Sequence, residues 1–567
     1  MQHQKTKWYQ PLVYASSLYE TMSARGGQDD NLPLLHAVRH GGAQDVGTAD
    51  AGNLAVVDEA QQAHSPFILD SDPSPSSITR TLPETATFGR NLGWLHVYSL
   101  IISRIIGSGI FATPGSIYRS VGSVGLSLVL WFVGALIASC ALSVSLEFGC
   151  MLPRSGGDKV YLEFTYPKPK YLASILFAFY TIFLYTVASN CIVFGEYLTF
   201  ALGLPPTKLA NRGFALALLT WTVLIHGCFL RTGIAIQTGL GYIKLLLMGF
   251  ITLTALVVIS RGHGATDTGS LFQGSIWGWG SMSTALLKIT FAYTGYASAN
   301  DVMNEIKNPV QTLKTASRAA LATVCLMYLF VNLAYFSVVD GDDIRSGGEL
   351  IAGLFFERVF GQNVGRRVLS LTVAISTAGN VMAGLFSMSR LNQEVARQGV
   401  VPFGKFFSSS KPFNAPLAAL SVNFVQAVFI IVAMPPADVY AFILDVQSYA
   451  QQFFAFAVVI GLVLLRRRQP DLTRPYKAPT LAVLVRMLTC FALLIAPFVK
   501  PERGEGDVKF WYGTYALTAA GVLLIAVIYW YFLTVYFPRK GGYELVERSE
   551  VLDDGTTVTV LVKESHL

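Results

Sequence analysis

Two short stretches place chemically useful residues inside otherwise apolar surroundings. The first reads Arg104-Ile105-Ile106-Gly107-Ser108-Gly109-Ile110-Phe111, and the second Phe291-Ala292-Tyr293-Thr294-Gly295-Tyr296-Ala297. Small residues so placed interrupt a helix and bare backbone N–H and C=O groups, which a bilayer tolerates only where they line a cavity or meet a ligand. From Gly107 through Ser108 and Gly109 to Ile110, the backbone amides open a half-helix whose dipole end is positive. Glycine there lets a carboxylate approach the backbone closely. At Ile105, Phe291 and Ala292 the preceding half-helices end in carbonyls suited to an ammonium group or a cation, and the Thr294 carbonyl joins that set. A zwitterion fits both ends. Phe291, Tyr293 and Tyr296 are the aromatic residues nearest the breaks, and no carboxylate flanks the glycine turn. The cargo these features point to is neutral and apolar. Small residues also serve close helix packing, but a matched pair of breaks favours a binding site.

Ionisable residues at depth supply the other candidates. Lys244 stands in Gly241-Tyr242-Ile243-Lys244-Leu245-Leu246-Leu247-Met248, about eleven residues or roughly 17 Å from the start of its helix, too deep to snorkel easily. A lysine there must face protein or water. It can tether its helix to the first break and can carry a proton in coupled transport. Arg104 cannot discharge and calls for acceptors, with the carboxylates of Glu305 and Glu147 as candidates. Glu196 is expected near an outer vestibule, and His96 and His226 carry no role. The run Glu305-Ile306-Lys307-Asn308-Pro309 is expected to end its helix at the membrane face, and the loop 153–161 to form a positioned turn near an inner gate.

The elements that must hold these residues are spanning helices. The chain of 567 residues is 52% hydrophobic and 14% charged, with a net charge of +7 and a mean hydropathy of +0.48. A water-facing surface needs far more charge, whereas lipid-facing helices need almost none. About twelve spans are predicted, at 93–118, 124–151, 171–204, 213–230, 233–260, 280–303, 316–339, 368–393, 416–434, 437–465, 481–500 and 511–537. The two breaks fall in the first and the sixth. Connections after spans 2, 6, 8 and 10 carry the basic residues, among them Arg466, Arg467, Arg468, Arg474 and Lys477. By the positive-inside rule that side is cytoplasmic, and an even count puts both termini there. The contrast is reduced by Arg366 and Arg367 on the opposite side. Residues 1–90 read as a disordered cytoplasmic tail that could contact trafficking machinery, residues 91–538 as the transporter domain, and residues 539–567 as a cytoplasmic C-terminal tail. Six cysteines lie in or beside apolar segments and imply no disulfide framework. No metal cluster, nucleophile elbow or phosphate loop appears, so neither an enzyme nor a cofactor is expected, and the basic balance does not point to nucleic acid.

The glycine run 107–109 with Ile110-Phe111, the loop 153–161, Lys244 and the stretch 305–309 resemble the amino acid, polyamine and organocation transporter superfamily, most of all its L-type amino acid transporter branch. Arg104, Phe111-Ala112-Thr113-Pro114 and Asp158-Lys159 are similar to fungal methionine permeases. The resemblance covers spans 1 to 10. It implies an all-α integral membrane protein with a five-plus-five inverted repeat (about 93–260 and 280–465, then two further helices), spans 1 and 6 interrupted. It implies carboxylate binding by Ser108 and Gly109 and amine binding by carbonyls at Ile105, Phe291 and Thr294. Lys244 matches a lysine that occupies a sodium-site position in sodium-independent members, which implies proton symport or exchange. Animal L-type exchangers carry a cysteine between spans 3 and 4 for a heavy-chain partner. Residues 202–212 contain none, so no such partner is expected. Thr294 and Tyr296 stand where those exchangers usually carry glycine and tryptophan. The resulting expectation is a plasma-membrane importer of a neutral L-amino acid, methionine foremost, working by alternating access. An exchanger and a non-transporting amino acid receptor signalling through the long tail are the alternatives.

Overall fold

The computed structural model describes residues 90–567 except 91, 206, 262–270, 347–350, 412, 434–438, 500–510, 512, 553–556 and 566–567. The N-terminal tail expected over 1–90 therefore lies almost wholly outside the described residues. Among the described residues, ten helices are long and apolar enough to cross a membrane: Trp94–Val121, Val124–Met151, Leu172–Leu202, Lys208–Cys228, Leu230–Val258, Pro309–Val338, Ser370–Ala396, Phe442–Arg468, Thr480–Phe498 and Thr514–Gly541. They occupy predicted positions 1 to 5, 7, 8 and 10 to 12. The sixth position holds Trp279–Ala292 and the ninth Leu417–Ala433, both shorter. The sixth is short because it is broken. Span 7 begins at Pro309, several residues earlier than predicted, because proline suits the first turn of a helix.

Burial separates the middle of the bundle from its rim. In spans 1 and 8, 83% of the most apolar window is buried, against 11% in span 12. The central spans can hold polar groups away from lipid, and the rim spans cannot. Around the first break, Trp131 of span 2, Tyr293 of span 6 and Tyr328 of span 7 pack ring to ring, with centroids 5.1–6.0 Å apart. This aromatic wedge fixes where the half-helices end.

Span 1 consists of Trp94–Ile105 and Gly109–Val121, joined by non-helical residues 106–108. Span 6 runs helically over Trp279–Ala292 and resumes as a 3-10 helix, Ser298–Glu305. Span 3 is interrupted as well, which the sequence did not announce. A π-helical turn, Tyr180–Leu184, gives way to extended backbone at Tyr185 before Ala188–Leu202 begins.

We call the face carrying the start of span 1 and the end of span 12 the tail side. There the backbone of Leu92 pairs with the end of span 6, its amide donating to Glu305 O at 2.8 Å and its carbonyl accepting from Lys307 N at 2.9 Å. The C-terminal segment is not a simple tail. It forms an antiparallel hairpin, β1 (Tyr543–Val551) with β2 (Thr557–Ser565). The Thr559 amide donates to Arg397 O just past span 8, at 2.6 Å. Ion pairs Lys405–Glu550 (2.7 Å) and Lys170–Glu547 (3.6 Å) hold its edge.

Candidate functional site

At the span 1 break the helix stops because Ile106 turns extended, with ψ near 91°. Four backbone carbonyls then lose their helical partners and are met by side chains from distant spans. Lys244 Nζ donates to Ser103 O (2.7 Å) and Ile106 O (2.6 Å). Asn380 Nδ2 of span 8 lies 2.6 Å from Arg104 O and 3.2 Å from Ser103 O. The Tyr328 hydroxyl is 2.9 Å from Ile105 O and 3.2 Å from Ala292 O, so a single proton serves both broken helices. Of the expected bare carbonyls, those of Ile105, Ala292 and Phe291 are thus engaged, Phe291 O by the Thr294 amide at 2.9 Å. Each retains a second lone pair toward the gap.

The amide side is more open. Ser108 N donates to Asn190 Oδ1 at 2.8 Å. No described residue accepts a hydrogen bond from the Gly109 or Ile110 amide. Those are the first donors of the outer half-helix, where the dipole end is positive. Glycine is required at both flanks. A Cβ at Gly107 would sit 2.6 Å from Asn380 Nδ2, and one at Gly109 would sit 2.7 Å from Ala292 Cα, where the two broken helices meet.

A cavity of about 10 Å³ occupies the junction, lined by Arg104, Ile105, Gly107, Ser108, Gly109, Phe291, Ala292 and Thr294 together with Thr186, Asn190, Asn380 and Gln447. The first eight are residues singled out from sequence. The last four come from spans 3, 8 and 10, and their signal was a polar side chain in the middle of an apolar helix. That space holds about one water. An amino acid enters only if the half-helices move apart.

Other expectations land elsewhere. Ile110 is fully buried in helix packing and does not line the cavity. Tyr293 belongs to the aromatic wedge, and Tyr296 lines a separate, larger cavity. Arg104 pairs with neither predicted carboxylate: its guanidinium donates to Asn380 Oδ1 at 3.1 Å and Tyr185 OH at 2.9 Å. Glu305 instead accepts from Arg390 Nε of span 8 at 2.9 Å. Glu147 takes Arg466, Arg474 and the Ala478 amide. The reason is depth, since both carboxylates lie nearer the tail side than Arg104 and meet the arginines of that level. Among the described residues no group of His, Cys, Asp and Glu could hold a metal ion.

Comparison with known proteins fits this geometry. The chain is 34% identical over 479 residues to the high-affinity methionine permease of Saccharomyces cerevisiae, covering 82% of this chain and 83% of that protein. It is 31% identical over 497 residues to the low-affinity methionine permease of the same yeast, covering 85% and 90%. Among solved structures, a manganese transporter mutant from Eremococcus coleocola shares the fold, with a TM-score of 0.51 and 13% identity, over 82% of this chain and all of that one. The family described as amino acid permease matches residues 92–533. A helical membrane bundle broken at matched depths, with free amides facing engaged carbonyls, accompanies a family match over most of its length: the chain belongs to the amino acid permeases.

Proposed function

We propose that this permease imports a neutral L-amino acid, methionine foremost, by proton-coupled symport at the plasma membrane, with the tail side cytoplasmic. The observation that carries the reading is the partnerless amide of Gly109, in a gap lined also by Ile105, Phe291 and Ala292, whose carbonyls end the preceding half-helices, with the equally partnerless Ile110 amide next to it in the chain. The amides take the carboxylate, and the remaining carbonyl lone pairs take the ammonium group. Arg104 is the one charged residue lining the gap among those described. A positive lining with no carboxylate disfavours a cationic side chain and supports a neutral cargo. The methionine specificity leans on the two yeast relatives.

Coupling falls to Lys244. Its ammonium group ties the inner half of span 1 to span 5 through two carbonyls. Loss of a proton leaves two donors but removes the charge that strengthens both bonds, which loosens the tie and lets the half-helix tilt, the movement the closed gap requires.

Uptake of labelled L-methionine into vesicles containing the purified protein tests the reading. A proton gradient directed inward should stimulate uptake severalfold, Lys244→Met should abolish the stimulation, and Ser108→Leu or Gly109→Leu should bring uptake to background. Equal uptake by Gly109→Leu and the parent chain overturns the site. Exchange that ignores the gradient overturns the coupling and leaves amino acid transport standing.

A further inference from the structure

On the tail side of the span 6 break lies a second cavity of about 90 Å³, walled by spans 2, 3, 6, 8, 10 and 11 and by the start of the short helix Asp158–Thr165. Thr294 lines both this cavity and the gap at the first break, so the two spaces adjoin. Its charged residues are Arg486, Asp158 and Asp301.

Arg486 sits on the buried stripe of span 11 with Val483, Cys490 and Leu493, and is 3% exposed. It makes no hydrogen bond and no ion pair with any described residue. The other buried arginines among the described residues are engaged: Arg104 by Asn380 and Tyr185, Arg390 by Glu305 and Arg397 by Glu394. Asp158 and Asp301 also lack any ion pair or side-chain hydrogen bond among the described residues. Beside them Asn300, 2% exposed, gives its amide to Ser145 Oγ at 2.7 Å while its Oδ1 faces no donor. Opposite charges therefore look into one enclosed space from walls too far apart to pair, since none of their N···O separations falls within 4.0 Å.

Uncompensated charge inside a bundle is costly, and a guest that completes both ends relieves it. An inorganic anion would satisfy Arg486 and leave the carboxylates bare. A metal cation would do the reverse. A molecule carrying a carboxylate and an ammonium group serves both, and the guanidinium fork matches a carboxylate in shape.

We propose that this cavity is a second station for the amino acid on the tail side of the break, where Arg486 takes the carboxylate and Asp158 with Asp301 takes the ammonium group. The inference rests on the importer reading above. It makes release stepwise: the zwitterion leaves the backbone site for a side-chain site already bearing both complementary charges.

The test is equilibrium binding of labelled L-methionine to the full-length chain in lipid nanodiscs. Two classes of site should appear, approaching two molecules per chain. Arg486→Gln should weaken the second class about ten- to a hundredfold, the loss expected for a charged hydrogen-bonded contact, and leave the first unchanged. Asp158→Asn with Asp301→Asn should do the same, and Ser108→Leu should remove only the first class. Arg486→Lys, which keeps the charge and loses the fork, should fall between, and serves if the glutamine variant does not fold. One saturating site, lost in Ser108→Leu and untouched in Arg486→Gln or Arg486→Lys, overturns the station and leaves the importer reading intact. No methionine binding of either class overturns both.

Discussion

Single atoms decide whether the broken helices survive in lipid. The Tyr328 hydroxyl serves the carbonyls of Ile105 and Ala292 at once, one from each half of the fold. Tyr328→Phe strips both, and a buried acceptor left without a donor costs about 1–3 kcal/mol. The variant should fold with a lower Tm in detergent and regain part of the loss when methionine is added, a difference that thermal unfolding with and without the amino acid measures. Asp158 lends the second cavity a pH dependence. Burial pushes its carboxyl up to about 6, against the pull of Arg486. The groups acting on or with it are Arg486 of span 11, Tyr296 and Asp301 of span 6, Tyr180 of span 3 and Tyr161 of its own helix. Its negative charge is present above that value and lost below it. Methionine binding of the second class should therefore be full at neutral pH and decline as the pH falls through about 6, while Asp158→Asn should show no such step.

At the scale of elements, the tail side of spans 1, 6 and 8 is a stitched seam. The Leu92 backbone pairs with residues 305 and 307, and Glu305 reaches across to Arg390, whose guanidinium lies 3.9 Å over the Phe386 ring. Both charged partners are buried. Glu305→Gln should destabilise the protein by about 3–5 kcal/mol because Arg390 then stays buried without a counterion, and the double variant Glu305→Met with Arg390→Met should recover much of that. A double-mutant cycle on thermal stability reads the coupling, and additive losses would refute it. These contacts also mark what the sequence could tell. The breaks at 107–109 and 293–297 and the depth of Lys244 were legible because glycine and charge are conspicuous in an apolar run. The interruption of span 3 was not, since Tyr185-Thr186-Val187 contains neither glycine nor proline and its backbone is shaped by what it packs against. Asn190 and Asn380 were hidden for a related reason: their use depends on which spans become neighbours. Arg104 was assigned a carboxylate on charge balance alone, but an amide oxygen and a phenol at its own depth satisfy its Nη donors instead.

For the whole molecule, burial explains why central spans carry the chemistry and rim spans only meet lipid. Spans 1 and 8 are enclosed enough to keep a helix break, two asparagines and two buried arginines out of hydrocarbon, whereas span 12 has little beyond an apolar surface. The C-terminal hairpin belongs to neither class. Its recorded ion pairs, to Lys405 and Lys170, are exposed and worth about 0–1 kcal/mol each. Mild proteolysis should therefore clip it near Gly542 while the bundle stays folded, with the core fragment and its unchanged melting curve as the readout. Its contact with the end of span 8 has a consequence for biogenesis. A helix terminus leaves carbonyls wanting donors, and Arg397 O receives the Thr559 amide from a segment made well after span 8. Until that segment has emerged, the terminus is left to water. A chain that has completed span 8 but not yet the hairpin thus carries a hydrated patch at this helix end, and a product stopped between the two keeps it.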